Sequence, residues 1–332
     1  MLRTASATAT LVPSVPSVAF VAGELVHKAR PGSVLLTGLR PDGNDGFVVS
    51  AHWPEGHECY ATGRSALDPL LLTETVRQSF PLLCHSAYDV PLGHHLLWDT
   101  FGYELSPAAL APRHHSGAVE LRVTCLESTR RGSRAAALTL LISVVQDGLL
   151  LAECRTRLTV QSPAVYQRLR AGRGTPEAVT ALPAAPVASI APSALARTRL
   201  RDIVLSPAVE SGRWRLRVDT THPVFFDHPL DHAPGLLLLE AARQAALMLP
   251  AGHSQSVTGL ATSFTRYVEL DAPCWIEVRP LDPDPEGRGR TVVSLWQNGV
   301  ECCTATMRLA RKAGPGGFAP VRAGGEVIPF PR

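Results

Sequence analysis

Two apolar runs of helical length stand out along the chain, set among shorter stretches in which apolar and polar residues alternate. One is DPLLLTETVRQSFPLL (Asp68 to Leu83) and the other PGLLLLEAARQAALML (Pro234 to Leu249). Their length predicts helices, and Pro234-Gly235 marks the start of the second, because proline suits the first helical turn. AVELRVTCLES (Ala118 to Ser128) and SFTRYVELDAPCWIEVRP (Ser263 to Pro280) alternate with the period of two expected of strands. Asp147-Gly148 and Asn298-Gly299 each lie between such stretches and predict tight hairpins.

The two runs are copies. Laid over one another without a gap, they place Glu74 on Glu240, Arg77 on Arg243 and Gln78 on Gln244. The match continues on both sides. QDGLLLAECRTRLTV lies over QNGVECCTATMRLA, with Arg157 on Arg308, and GFVVSAHWPEGHECY lies over GRWRLRVDTTHPVFF with one gap. Each half therefore has two short strands, an apolar helix, and several strands ending in a hairpin. A buried helix covered by an antiparallel sheet is an α+β arrangement, here duplicated so that the halves pack as a pseudo-dimer. The expected layout is a tail over 1–22, a first repeat over 23–170, an Ala/Pro-rich linker over 171–196, a second repeat over 197–312 and a tail over 313–332.

Composition narrows the function. A chain of 332 residues with 45% hydrophobic and 18% charged residues is globular. A net charge of +3, with no dense basic run, argues against nucleic acid. Arginine supplies nearly all the positive charge, since Lys28 and Lys312 are the only lysines. The cysteines number seven and include no CxxC pair, so neither a zinc ribbon nor a disulfide framework is expected. Adjacent Cys302 and Cys303 are expected on opposite faces of a strand. No apolar stretch reaches membrane-spanning length, and the N-terminus has no continuous secretory core, so a cytoplasmic protein without a membrane is expected. No Gly-rich phosphate loop and no GxSxG elbow is present, and no cofactor is expected.

The candidate chemistry centres on the helices. Glu240, Arg243 and Gln244 share one face at spacings of three and four. An ionised group on a buried helix needs a partner or a wet cavity. One such pair fits a structural ion pair as well as a site. Two copies at equivalent positions favour a cavity between the halves, lined by Glu240, Arg243, Glu74 and Arg77. The segment before the second helix holds His222, Asp227, His228, Asp231 and His232. Pro229 and Pro234 deny His228 and His232 a shared helical face, so no metal is expected. Histidine nonetheless suits proton transfer near neutral pH. The basic hairpin STRRGSRA (Ser128 to Ala135) fits a solvated turn as well as an acidic partner.

HPLDHAPGLLLLEAARQAA resembles the active-site segment of hotdog-fold acyl-carrier-protein dehydratases, in which a His precedes Pro-Gly and a Glu follows the Gly by five residues. Glu240 matches that Glu, and His228 matches the His only across a two-residue gap. The chain is more similar to the A-factor biosynthesis family of γ-butyrolactone autoregulator synthases. The resemblance covers both repeats and the linker, and includes HPVFFDHPLDHAPGLLLLEAARQAA and VHKARPGSVLLTGL (Val26 to Leu39). It implies a tandem double hotdog fold. It also implies an acyltransferase that passes a β-ketoacyl chain from an acyl carrier protein or coenzyme A thioester to dihydroxyacetone phosphate, in secondary-metabolite signalling. A dehydratase, a thioesterase or a non-catalytic acyl-binding protein is the alternative.

With that reaction in view, Glu240 is expected as general base, Arg243 as phosphate ligand and His228 as a proton-transfer partner. The helix start at Gly235 would hold the thioester oxygen, with Gln244, Glu74, Arg77, Asp227, Asp231 and His222 lining the substrate site. An arginine paired with Glu240 weakens it as a base, so the halves would divide the labour, the first serving as support. The internal pseudo-dimer makes either a monomer or a homodimer possible.

Overall fold

A computed structural model describes residues 18–43, 45–60, 66–173, 175–180, 190–208, 212–249 and 255–311. The expected tails up to residue 17 and beyond 311, and the middle of the linker (181–189), lie outside the described residues. The first repeat runs β1 (Leu36–Pro41), β2 (Gly46–Trp53), α1 (Pro69–Ala87), β3 (His95–Leu105), a one-turn α2 (Pro107–Leu110), β4 (Gly117–Arg131), β5 (Arg134–Gln146) and β6 (Leu149–Gln161). Two short helices, α3 (Pro163–Leu169) and α4 (Pro176–Thr180), lead away from it. The second repeat runs β7 (Leu205–Pro207), β8 (Arg213–Leu216), α5 (Gly235–Leu247), β9 (Gln255–Phe264), β10 (Cys274–Leu281), β11 (Gly289–Gln297) and β12 (Val300–Arg311).

All twelve strands join in one antiparallel sheet of order β1-β2-β4-β5-β6-β3-β9-β12-β11-β10-β8-β7. Read from either edge towards the middle, the order is the same, which is the signature of two copies related by a pseudo-two-fold axis. The seam is the β3–β9 pair, with Phe101 opposite Thr262 and Tyr103 opposite Leu260. Asp147-Gly148 and Asn298-Gly299 turn the matching hairpins, all four residues at positive φ, as a type I′ turn requires.

Each sheet half covers one helix. Every residue of α5 from Leu236 to Leu247 is buried, polar ones included. Asp68 caps α1, its side chain accepting from the Leu70 N–H, whereas Pro234 gives α5 no capping side chain. The two cap positions are equivalent in the repeat, so this difference is built into the sequence.

Cys302 and Cys303 are both buried. The β11–β12 register skips at Leu295/Trp296, leaving Cys302 unpaired in a bulge that breaks the strand's simple alternation there. All seven cysteines are free. The expected strand over Ser263 to Pro280 is interrupted after Phe264 and resumes at Cys274.

Gly235 fills a packing role as well as starting α5. A Cβ there would meet Cε3 of Trp98 at 2.9 Å. Alanine normally favours a helix over glycine, yet Gly235→Ala is expected to destabilise by about 1–3 kcal/mol through overpacking. Thermal unfolding of that variant checks the sign.

Candidate active site

Each helix carries its carboxylate inside a cage of cations. In the first repeat, Glu74 lies 2.9 Å from Lys28 Nζ, while Arg77 gives it two parallel hydrogen bonds of 2.8 and 2.9 Å. Gln78 Nε2 adds a third donor at 2.8 Å. In the second, Arg197 and Arg243 each grip Glu240 with two hydrogen bonds, of 2.7 to 2.9 Å, and Gln244 Nε2 donates at 2.7 Å. Burial alone would raise both carboxyls. The cations outweigh it and hold each at about 2, through Arg77 and Lys28 for Glu74 and through Arg197 and Arg243 for Glu240.

The glutamines tie each cage to the chain before the first strand. Gln78 bonds the Leu35 N–H and the Ser33 carbonyl, and Gln244 bonds the Val204 N–H and the Asp202 carbonyl. These matched contacts extend the repeat upstream, setting ELVHKARPGSVLL over SALARTRLRDIVL and Lys28 over Arg197. Lys28 and Arg197 were missed because the overlay stopped at the strands, and Asp68, though inside it, because its partner Arg197 lies 129 residues away in the other repeat. The visible signal was a cation at the same position in each half.

The two cages differ in what approaches them. Asp68, at the start of α1, reaches across the repeat boundary and accepts from Arg197 Nη1 at 2.7 Å. Asp68, Arg197, Glu240 and Arg243 form a buried chain of alternating charge. Glu240 and Arg243 also line a small pocket with Pro69, Leu70, Tyr103, Leu239, Leu260 and Met307, mostly apolar. At the first cage, Arg77 keeps 22% of its side chain accessible, against 9% for Arg243. Arg77 spends Nε and Nη2 on Glu74 and the Val26 carbonyl.

The polar loop before α5 crosses to that first cage. Asp227 accepts hydrogen bonds from the backbone N–H groups of Ala29 and Arg30, and His228, 41% exposed, stands beside it. Burial would raise the Asp227 carboxyl, but His228, the Ala29 N–H and Lys28 outweigh it and hold it below the usual range. Next to them His27 and His85 share a 2.9 Å hydrogen bond between their Nε2 atoms. Burial, with Arg77, His85, His228 and His95, pushes His27 down to about 3, so its ring is neutral. The start of α5 lies on the same side: Gly235 abuts Trp98, which packs edge-on to Phe80 of α1 at 5.6 Å.

The remaining loop residues are placed elsewhere. His222 accepts from the Val224 and Phe225 N–H groups at Nδ1, and its Nε2 meets Asp202 at 3.0 Å. His57 makes the same Nδ1 turn in the first repeat with Cys59 and Tyr60. Cys59 lies within metal-ligand reach of Asp202 and His222. With Nδ1 accepting, the imidazole proton sits on Nε2, where a metal would need the lone pair. Asp231 accepts from Tyr166, Arg170 and His232, and Arg170 continues to Glu269, latching α3 to the second repeat.

The family model of the A-factor biosynthesis hotdog domain matches residues 12–162 and 179–311. The chain belongs to the A-factor biosynthesis hotdog family. Among the family's proteins, one from Streptomyces virginiae, named 2-oxo-3-(phosphooxy)propyl 3-oxoalkanoate synthase, is 37% identical over 83% of this chain and 92% of its own. A Streptomyces coelicolor protein of the same name is 39% identical over 77% of this chain and 81% of its own. One from Streptomyces griseus is 35% identical over 76% and 83%. The double hotdog fold follows from family membership and from the mirrored order of the sheet.

Proposed function

We propose that the protein is an acyltransferase that passes a 3-oxoacyl chain from a thioester, carried by an acyl carrier protein or coenzyme A, to the hydroxyl of dihydroxyacetone phosphate. The observation that carries this reading is the match to relatives named as that synthase, which covers both repeats. No described helix is long and apolar enough to cross a membrane, in keeping with water-borne substrates.

The site residues fit the reaction in a rearranged form. The first cage binds: Glu74 holds Lys28 and Arg77 in place, and Arg77 presents its remaining N–H groups to the acceptor phosphate. Asp227 and His228 close that site from the second repeat. Uncapped N–H groups at Gly235 stabilise the thioester oxygen as charge develops on it. The acyl chain runs between the helices towards the slot at Leu70, Leu239, Leu260 and Met307. Glu240, gripped by two arginines and Gln244, has no lone pair to spare as a base. We assign Glu240, Arg243 and Gln244 to holding α5 and the repeat boundary, with Asp231 and His222 holding the loop.

Incubating the protein with a 3-oxoacyl thioester and dihydroxyacetone phosphate tests the reading by mass spectrometry. A phosphorylated ester with matching release of thiol is the expected result. Free 3-oxo acid would mean hydrolysis, and unchanged thioester would mean binding without transfer.

A further inference from the structure

We infer that His27 is the proton acceptor of the acyl transfer and that His85 is the residue that positions it. The inference rests on the transferase reading above and adds a base that the family match does not supply.

The hydrogen-bond chain fixes the tautomer. His85 Nδ1 lies 2.8 Å from the Val90 carbonyl oxygen and can only donate there. A neutral His85 therefore offers a lone pair at Nε2. His27 Nε2, 2.9 Å away, must carry the proton and donate it. His27 Nδ1 is left with its lone pair, on a residue that is only partly buried. A base whose far nitrogen is held by a second group is the arrangement that proton-transfer catalysis requires.

The repeat supplies an internal control. His27 closes a short 3-10 helix (Gly23–Val26) in the left-handed region, at φ 52° and ψ 51°. Its counterpart Ala196 closes the matching turn (Pro192–Leu195) at φ 54° and ψ 43°. The next residue bonds back alike in both, Lys28 N–H to the Gly23 carbonyl and Arg197 N–H to the Pro192 carbonyl, each at 2.9 Å. Alanine therefore satisfies the turn, and a bulky side chain in this region costs the fold energy. The imidazole at position 27 is not needed for the backbone.

Location adds the third argument. Arg77 and His85 from α1, His95 from β3 and His228 from the loop before α5 all act on His27 electrostatically, and His85 bonds it directly. Arg77 reaches the carbonyl of Val26, the residue next to His27. A three-carbon acceptor with its phosphate on Arg77 brings its hydroxyl to the neighbouring base. The hydroxyl oxygen bonds the thioester carbonyl carbon while Nδ1 takes the hydroxyl proton. The carbon–sulfur bond then breaks, and Nδ1 returns the same proton to the departing thiolate. An ester and a thiol result, with no net proton and no other reactant. Burial and Arg77 hold the free imidazole of His27 well below neutral, so it takes the proton only in concert with attack on the carbonyl, as the phosphate dianion on Arg77 offsets the imidazolium that forms.

The test compares wild type with His27→Ala, the residue the other repeat carries, in the ester-forming assay. The expected result is a fall in kcat of roughly 10²- to 10⁴-fold, with KM for both substrates within about threefold and an unchanged unfolding midpoint. Added imidazole should restore turnover to His27→Ala in proportion to its concentration, which a structural role would not produce. His27→Gly, suited to the left-handed backbone, should show the same loss if the alanine variant folds poorly. His85→Leu should lower kcat by about 10- to 10²-fold through loss of the tautomer, and His85→Gln, which keeps an acceptor, by less. Wild-type kcat in either His27 variant overturns the inference while leaving the transferase reading intact. A wild-type protein that forms no ester overturns that reading instead.

Discussion

Arg197→Met is expected to lower folding stability by about 3–5 kcal/mol, a large share of what holds a domain together. Arg197 is the only cation that touches both Asp68 and Glu240 among the described contacts, and all three side chains are almost fully buried. Without it, Asp68 keeps its bond to the Leu70 N–H but loses the guanidinium of Arg197, and Glu240 retains Arg243 and Gln244. The four-residue chain loses one buried positive charge that two carboxylates share. Lys28→Met, at the equivalent position, leaves Glu74 with Arg77 in a neutral pair, so about 1–2 kcal/mol is expected. Urea unfolding of the two variants checks the contrast. Adding Asp68→Asn to Arg197→Met should recover part of the loss, because asparagine still caps α1 and strands no charge. Equal costs at Lys28 and Arg197 would mean that the repeat boundary does not depend on this chain of charges.

Arg77→Met and Arg243→Met should separate activity from stability. Arg77→Met leaves Glu74 with Lys28 and Gln78 while removing the donors aimed at the acceptor. Its kcat/KM for dihydroxyacetone phosphate should fall by about 10- to 10²-fold, the worth of a charge-assisted hydrogen bond, with a stability loss of about 1–2 kcal/mol, like that of Lys28→Met and smaller than that of Arg243→Met. Arg243→Met should show the reverse: unfolding at lower temperature or denaturant, and a folded fraction with most of its activity. Steady-state assays at matched folded concentration, paired with denaturation curves, read both effects. Activity lost only in Arg243→Met would return the chemistry to the second repeat.

Duplication, helices and hairpins were legible because each leaves a local trace. Glu74 and Glu240 fall in register, and Asp147-Gly148 and Asn298-Gly299 demand the same turn. The site was legible only in its parts. The helical spacing identified Glu240 with Arg243 and Glu74 with Arg77 as pairs, but pairs alone carry no information about what crosses from the other repeat. Asp227 follows a turn held by His222 in the second repeat, yet bonds Ala29 in the first. That crossing made the polar loop serve the other helix, and sequence adjacency had assigned it to α5. Asp68 and Pro234 occupy equivalent cap positions, and only the fold shows that one reaches a buried arginine while the other leaves N–H groups uncapped. The His27–His85 pair spans 58 residues, and each histidine alone carries no motif.

The division of labour between the two cages is the central claim, and a crystal structure with dihydroxyacetone phosphate bound tests it most directly. The account predicts phosphate oxygens within hydrogen-bonding distance of Arg77, with the acceptor hydroxyl directed at His27 Nδ1 and the Glu240 cage unchanged. Phosphate bound to Arg243, in the pocket lined by Tyr103 and Met307, would contradict it.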